Sequence, residues 1–324
     1  MKESLTRRGF LGAAAVAACA ATSASAALAD EAASTAEEAS EGEQVENWWD
    51  VYPVDWEENF VDLDTGITMC YMTAGPEDGT PVMLVHGTAD SRMVWAQVVP
   101  HLVEAGMRVY VPEMRGQGKT DKPFESDHSY DSSKFAKDIA SLFDKLGLEH
   151  VHMVGHSLGS LTCQIVAAQS AEKVESVTLI STGAIMGTGQ DQLDYLIDQK
   201  TGKVDQDFIQ SWSASSNEDA DFVRAQLLQA QALPTLSWLF LFHGTTSDYT
   251  EYENAITCPV QIIWGTEDVL FSSKDQDDVQ ERLTNAASVD FHAIEGASHG
   301  VFTDGSDNAE EISDLIADFV KAHA

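Results

Sequence analysis

Apolar residues along the chain fall into short continuous runs that alternate with longer segments of helical spacing. Val82 to Val85, Val151 to Val154, Val174 to Ile180 and Val260 to Trp264 read as strands buried on both faces. Arg108 to Val111 and Ser288 to Ile294 add two more strands. Between them, Trp95 to Ala105, Ser132 to Leu146, Leu161 to Ala171, Lys274 to Leu283 and Ala309 to Lys321 carry helical spacing. Ahead of the series, Phe60 to Leu63 and Ile67 to Met72 flank Asp64-Thr65-Gly66, which predicts an antiparallel hairpin. The whole pattern predicts an α/β fold: a mainly parallel, doubly wound sheet covered by helices on both faces.

The alternation breaks between about Gly183 and Ile256. Helix-like pieces at Asp191 to Ile197, Asp205 to Ser213 and Asp219 to Leu233 precede Trp238-Leu239-Phe240-Leu241-Phe242, which predicts a helical cap insertion. The expected division is a core over residues 47–183, a cap over 184–256 and a second core part over 257–324. Trp48-Trp49 and the aromatic segment to Glu58 have no clear period and are expected to pack as an arm. There is no internal repeat.

The first stretch has a different character. Lys2, Arg7 and Arg8 precede Phe10-Leu11-Gly12 and a small apolar run to Ala29, the three parts of an export signal. Thr6-Arg7-Arg8-Gly9-Phe10-Leu11 resembles the twin-arginine type. Ala27-Leu28-Ala29 fits a cleavage site, with Ala24-Ser25-Ala26 as a rival. Val16-Ala17-Ala18-Cys19 also resembles a lipobox, in which Cys19 would become a lipidated first residue. Both readings stay open. Residues 30–46 lack the aromatic and branched residues of a core and read as a disordered acidic tether.

Lys and Arg total 18 against 53 Asp and Glu, a net charge of −35 that argues against a nucleic-acid partner and disfavours strongly anionic substrates. Cys70, Cys163 and Cys258 form no C-x-x-C pair and suggest no disulfide framework. His150 and His152 alternate on a strand without a third ligand, so no metal site is expected.

Candidate chemistry starts at Gly155-His156-Ser157-Leu158-Gly159, between a buried strand and a helix. In that setting a G-x-S-x-G turn lifts the serine hydroxyl above the sheet edge, making Ser157 a candidate nucleophile. A serine needs a base, and the base needs an orienting acid. His299, in Glu295-Gly296-Ala297-Ser298-His299-Gly300, follows the last strand; Asp268 follows the strand Val260 to Trp264, with Glu267 as the nearest rival. Both sit where ligand sites of parallel sheets form. The order Ser157, Asp268, His299 is that of the α/β-hydrolase arrangement. Backbone N–H groups of Leu158 and of Thr88, in His86-Gly87-Thr88, are the expected oxyanion donors.

With these residues in place, the chain resembles the α/β-hydrolase family, in the subgroup with a helical cap, from about Phe60 to the C-terminus. Val111-Pro112-Glu113-Met114-Arg115-Gly116-Gln117-Gly118-Lys119-Thr120 is similar to the family's D-x-R-G-x-G-x-S segment, with Glu113 and Thr120 as departures. The resemblance implies a serine hydrolase without metal or organic cofactor. Relatives that act on epoxides and haloalkanes carry an aspartate at the elbow, so Ser157 disfavours those chemistries. The expected reaction is cleavage of carboxylic esters of small or medium apolar molecules. Trp95, Trp212, Trp238, Phe240 and Phe242 are candidate pocket walls or, equally, packing residues. Two alternatives keep the triad: C–C bond hydrolysis, and an aminopeptidase of the proline iminopeptidase type, with Asp219, Asp221, Asp248 or Glu251 gripping an ammonium. A third is a surface ligand-binding protein that keeps the fold. Oligomeric state is not legible.

Overall fold

The computed structural model describes residues 47–124, 130–186, 196–198, 201–244 and 247–324. The export signal, Cys19 and the tether lie outside the described residues, as does most of the helix-like piece from Asp191. The chain runs through a short helix α1 (Trp48–Val51) into β1 (Glu57–Asp62), β2 (Thr68–Ala74) and β3 (Thr80–Val85). A 3-10 turn (Arg92–Trp95), α2 (Val99–Glu104), β4 (Met107–Pro112), α3 (Ser132–Leu146), β5 (Val151–His156), α4 (Leu158–Gln169) and β6 (Val174–Ile180) follow. The insertion holds β7 (Ile185–Met186), α5 (Gln206–Trp212), α6 (Ala220–Gln231), α7 (Thr235–Gly244), β8 (Ser247–Asp248) and α8 (Thr250–Glu253). The core resumes with β9 (Val260–Gly265), α9 (Ser273–Arg282), β10 (Val289–Ile294) and α10 (Ser306–His323).

Eight strands form one sheet in the order β1-β2-β4-β3-β5-β6-β9-β10. The predicted hairpin is the antiparallel pair β1–β2; β2 meets β4 antiparallel, and the remaining pairs are parallel. Strand geometry divides each apolar run between two faces, because successive side chains point to opposite sides. Met83 and Val85 join Phe135, Leu142 and Leu161 in one cluster, whereas Val82 and Leu84 join Val99, Ile312 and Ile316 in another. Val177 and Leu179 likewise face the first cluster, and Ile180 the second. A doubly covered sheet is therefore built from runs that show no alternation in sequence.

One predicted helix is broken. The segment Trp95 to Ala105 divides into the 3-10 turn and α2, whose first turn contains Pro100. A proline has no N–H to donate backward, so a helix starts at it more readily than it runs through it. The arm packs across two parts of the molecule. Trp48 lies in a small buried cluster with Met93 and Ala96 of the core and Phe222 and Ala225 of α6. Among the described residues, no helix is long and apolar enough to cross a membrane.

Candidate active site

Ser157 is the residue between β5 and α4, with φ 53° and ψ −120°. A non-glycine residue rarely occupies that region, and such strain is typical of an elbow that exposes a side chain. The surroundings hold it there. Ser157 N–H donates to Ile180 O at 3.0 Å, tying the elbow to β6. A Cβ on Gly155 would stand 2.3 Å from Gly159 O, and one on Gly159 would stand 2.1 Å from Val85 O. Both flanking positions therefore admit only glycine without rearrangement of backbone. Leu158 opens α4, so its N–H belongs to the first turn, whose donors have no acceptor within the helix.

His299 and Asp268 meet at the same sheet edge, with His299 Nδ1 2.9 Å from Asp268 Oδ2. Asp268 Oδ1 accepts from the N–H groups of Leu270 at 2.8 Å and Phe271 at 3.1 Å. Burial by itself would raise this carboxyl's pKa; His299 beside it and these hydrogen bonds overcome that, and the group is held below its ordinary value. Glu267, the rival acid, is solvent-exposed.

The loop that carries His299 is anchored through its backbone. The His299 carbonyl accepts from Ser181 Oγ at 2.7 Å and lies 3.0 Å from His156 Nε2. His156 is the second residue of the elbow, so the elbow and the loop that carries His299 are joined directly, and the two imidazoles are 5.1 Å apart. Burial and the neighbouring His299 depress His156 to about 3. It is therefore neutral, with Nε2–H donating to the carbonyl. Asp304, further along the loop, accepts from Ser298 N–H at 2.6 Å and Ser298 Oγ at 2.8 Å. The ends of β5 and β6 supplied these anchors unnoticed, because Ser181 and His156 have no periodic signature.

Thr88 is buried in the loop after β3. His86 shapes that loop: its Nε2 accepts Met114 N–H at 3.0 Å, leaving Nδ1–H to donate to Gly87 O at 2.9 Å. Burial lowers His86 to about 4, so this tautomer persists at neutral pH.

Residues 80–306 match the alpha/beta hydrolase fold family. The chain belongs to that family. It is 26% identical over 282 residues to the AB hydrolase superfamily protein YfhM of Bacillus subtilis, covering 79% of this chain and 95% of that protein. Epoxide hydrolase A of Mycobacterium tuberculosis is 30% identical over 128 residues, which span 40% of this chain but only 39% of the relative. The enol-lactonase from Burkholderia xenovorans superposes with a TM-score of 0.69 at 19% identity, covering 81% of this chain and 100% of that one, a likeness of fold.

In this alpha/beta hydrolase the cap is helical and its aromatic residues serve different ends. Trp95 is fully buried and stacks on Phe302 with centroids 4.4 Å apart, a packing position rather than an open wall. Trp238 is also fully buried, with Trp212 edge-on at 6.0 Å and Phe242 stacked at 6.0 Å. Phe208 contacts all three, and the group continues the core cluster under the sheet into the cap. Phe240 points elsewhere, stacking on Tyr130 at 5.7 Å and Phe124 at 5.8 Å, and so joins cap to core. The helical run Trp238 to Phe242 could not reveal which face met what. Asp219 and Asp248, candidates for gripping an ammonium, are engaged by backbone: Asp219 caps α6, accepting from Asp221 and Phe222 N–H, and Asp248 accepts from Thr250 N–H at 2.9 Å. Asp221 and Glu251 are exposed. Cys70 and Cys163 are buried, His152 is bonded to Ser176, and exposed His150 pairs with Glu175. Among the described residues, no three His, Cys, Asp or Glu side chains cluster as a metal site.

Sequence reasoning passed over Asp90. It follows Thr88 by two residues, its N–H donates to Gln117 Oε1 at 3.2 Å, and its Oδ1 accepts from Gln229 Nε2 of α6 at 3.1 Å. Burial raises its pKa to about 7, against the opposing influence of His299 and Gln229. Its place beside the candidate oxyanion loop was the available signal.

Proposed function

We propose that the protein is a serine esterase that cleaves carboxylic esters through an acyl-enzyme. Ser157 Oγ attacks the acyl carbon while His299 takes its proton. Asp268 orients His299 and stabilises the imidazolium. The N–H groups of Thr88 and Leu158 hold the oxyanion, each such donor contributing about 3 to 4 kcal/mol to the barrier reduction. Collapse expels the alcohol, which takes the proton from His299. Water, deprotonated by His299, then releases the acid and restores Ser157.

The observation that carries this reading is the His299–Asp268 contact of 2.9 Å at the sheet edge that also bears the strained elbow. Among family members, epoxide and haloalkane hydrolysis calls for an elbow aspartate, and the residue here is Ser157. A fluorophosphonate probe should label the wild type and not Ser157→Ala, and a panel of p-nitrophenyl esters should be hydrolysed by the wild type alone. Turnover surviving in Ser157→Ala would sink the mechanism. Tight ligand binding without turnover would favour a binding protein instead.

The same reading assigns residues 47–183 and 257–324 to the core and 184–256 to the cap. It also includes export by a twin-arginine route. Mass spectrometry of the mature N-terminus separates cleavage after Ala29 from lipidation at Cys19.

A further inference from the structure

The Asp90 carboxyl has no part in that mechanism, yet it stands at the nucleophile. A methyl group placed on Gly87 would lie 3.2 Å from Asp90 Oδ2, 3.2 Å from His156 Nδ1 and 3.3 Å from Ser157 Cβ, so three functional side chains converge on one point. Asp90 Oδ1 is engaged by Gln229, whose own Oε1 accepts from Ser91 Oγ. Oδ2 has no hydrogen-bond partner among the described residues. His156 is 6% exposed, and its Nδ1, a lone-pair acceptor because Nε2–H faces the His299 carbonyl, is buried without a partner.

No lysine or arginine pairs with Asp90 among the described residues; His299 is the basic side chain within electrostatic reach. Asp90 is nevertheless partly exposed, unlike Thr88 and Ala89 before it. A carboxylate sheltered from water without a cation is costly, and a ligand that brings the cation removes the cost.

We propose that Asp90 is the amine-recognition element of the Ser157 site, selecting esters that carry a primary ammonium close to the scissile carbonyl. The inference rests on the esterase reading and narrows its substrate class. An ammonium has three donors, no acceptor and a positive charge, matching the Asp90 oxygen that no donor answers. A hydroxyl can donate to that oxygen but brings no charge. A carboxylate is repelled, and the net charge of −35 sets the surrounding field in the same sense.

The test compares ethyl esters of near-equal size: β-alanine ethyl ester, ethyl butanoate, ethyl 3-hydroxypropanoate and monoethyl succinate. In the wild type at pH 8, kcat/KM for the amino ester should exceed that for ethyl butanoate by about tenfold or more, the scale of a charge-assisted hydrogen bond. Monoethyl succinate should be the poorest. In Asp90→Asn the amino-to-butanoate ratio should fall to about one; taking the ratio within each protein cancels any uniform loss. A wild-type ratio near one, a ratio that survives Asp90→Asn, or a hydroxy ester as good as the amino ester overturns the proposal.

A second measurement needs only the wild type. Competitive inhibition of ethyl butanoate hydrolysis by n-butylammonium, with 1-butanol as neutral control, should tighten from pH 6 to pH 8 as Asp90 ionises near 7. The amine stays protonated across that range. His86 and His156, which face the same loop, stay neutral at about 4 and 3, and Asp268 is already ionised; the part played by His299 is read separately from the pH profile of kcat/KM, which reports the free enzyme that the inhibitor binds. An inhibition constant independent of pH, or equal to that of 1-butanol, counts against Asp90. If ethyl butanoate is hydrolysed without amine preference, only this inference falls. If neither ester is hydrolysed and fluorophosphonate does not label Ser157, the esterase reading falls and takes the inference with it.

Discussion

Two carboxyls come within electrostatic reach of His299 from opposite sides of the site, and their surroundings drive them apart. Asp268, on the loop after β9, is saturated by His299 Nδ1 and two backbone N–H groups and is held below the ordinary carboxylate range. Asp90, on the loop after β3, has one amide donor from the cap, and burial pushes it up to about 7. Burial acts on both in the same direction. The difference lies in how many donors converge on the charged form. Asp268 is built to stay charged and hold an imidazole, whereas Asp90 is left with an unanswered oxygen.

The largest expected effect tests whether both carboxyls serve one nucleophile. Ser157→Ala should lose about 10^6-fold in kcat for any ester the wild type cleaves, since members of such a triad act as a unit. Steady-state rates above active-site-titrated background would remove the common reference for the comparison. Asp268→Asn should fall by about 10^4-fold, because an amide cannot hold the His299 tautomer or stabilise the imidazolium. A loss of tenfold or less would make another group the acid.

Asp90→Asn sharpens the contrast through stability. Its folded-state pKa, about 7, lies above the ordinary 3.8, so its contribution is full below about pH 4 and is lost as pH rises through 7. The variant, still able to accept from Gln229, should melt about 2–4 °C higher than the wild type at pH 8, with the gap closing toward pH 4. A pH-independent gap in thermal melts would show that Asp90 is not the shifted carboxyl. Glu267→Gln should be smallest, within about twofold in kcat/KM, because Glu267 faces solvent.

Legibility in the sequence followed the range over which each signal acts. Runs such as Val174 to Ile180 and the amphipathic helix Ser132 to Leu146 stand at the bounds read from them, because burial and helix period are local properties. The Ser157 elbow is local too, and its glycines are required by contacts within a few residues and with β3. Asp268 and His299 were legible through strand ends and chain order. Glu267 could be set aside only when its exposure was known. The cap defeated pattern reading because Trp238, Phe240 and Phe242 share one apolar segment but face different partners.

By itself, then, the sequence determined the class of fold, the presence of a helical cap insertion, and a serine, an aspartate and a histidine in family order. Those depend on periodicity, turn chemistry and position along the chain. Tertiary structure alone decided which aromatic residues pack and which join cap to core. It also decided that His156 and Ser181 grip the His299 carbonyl, and that Asp90 stands beside Ser157 with one oxygen unpaired. The physical reason is that these groups are far apart in sequence. Gln229 is 139 residues from Asp90, and only folding puts its amide there.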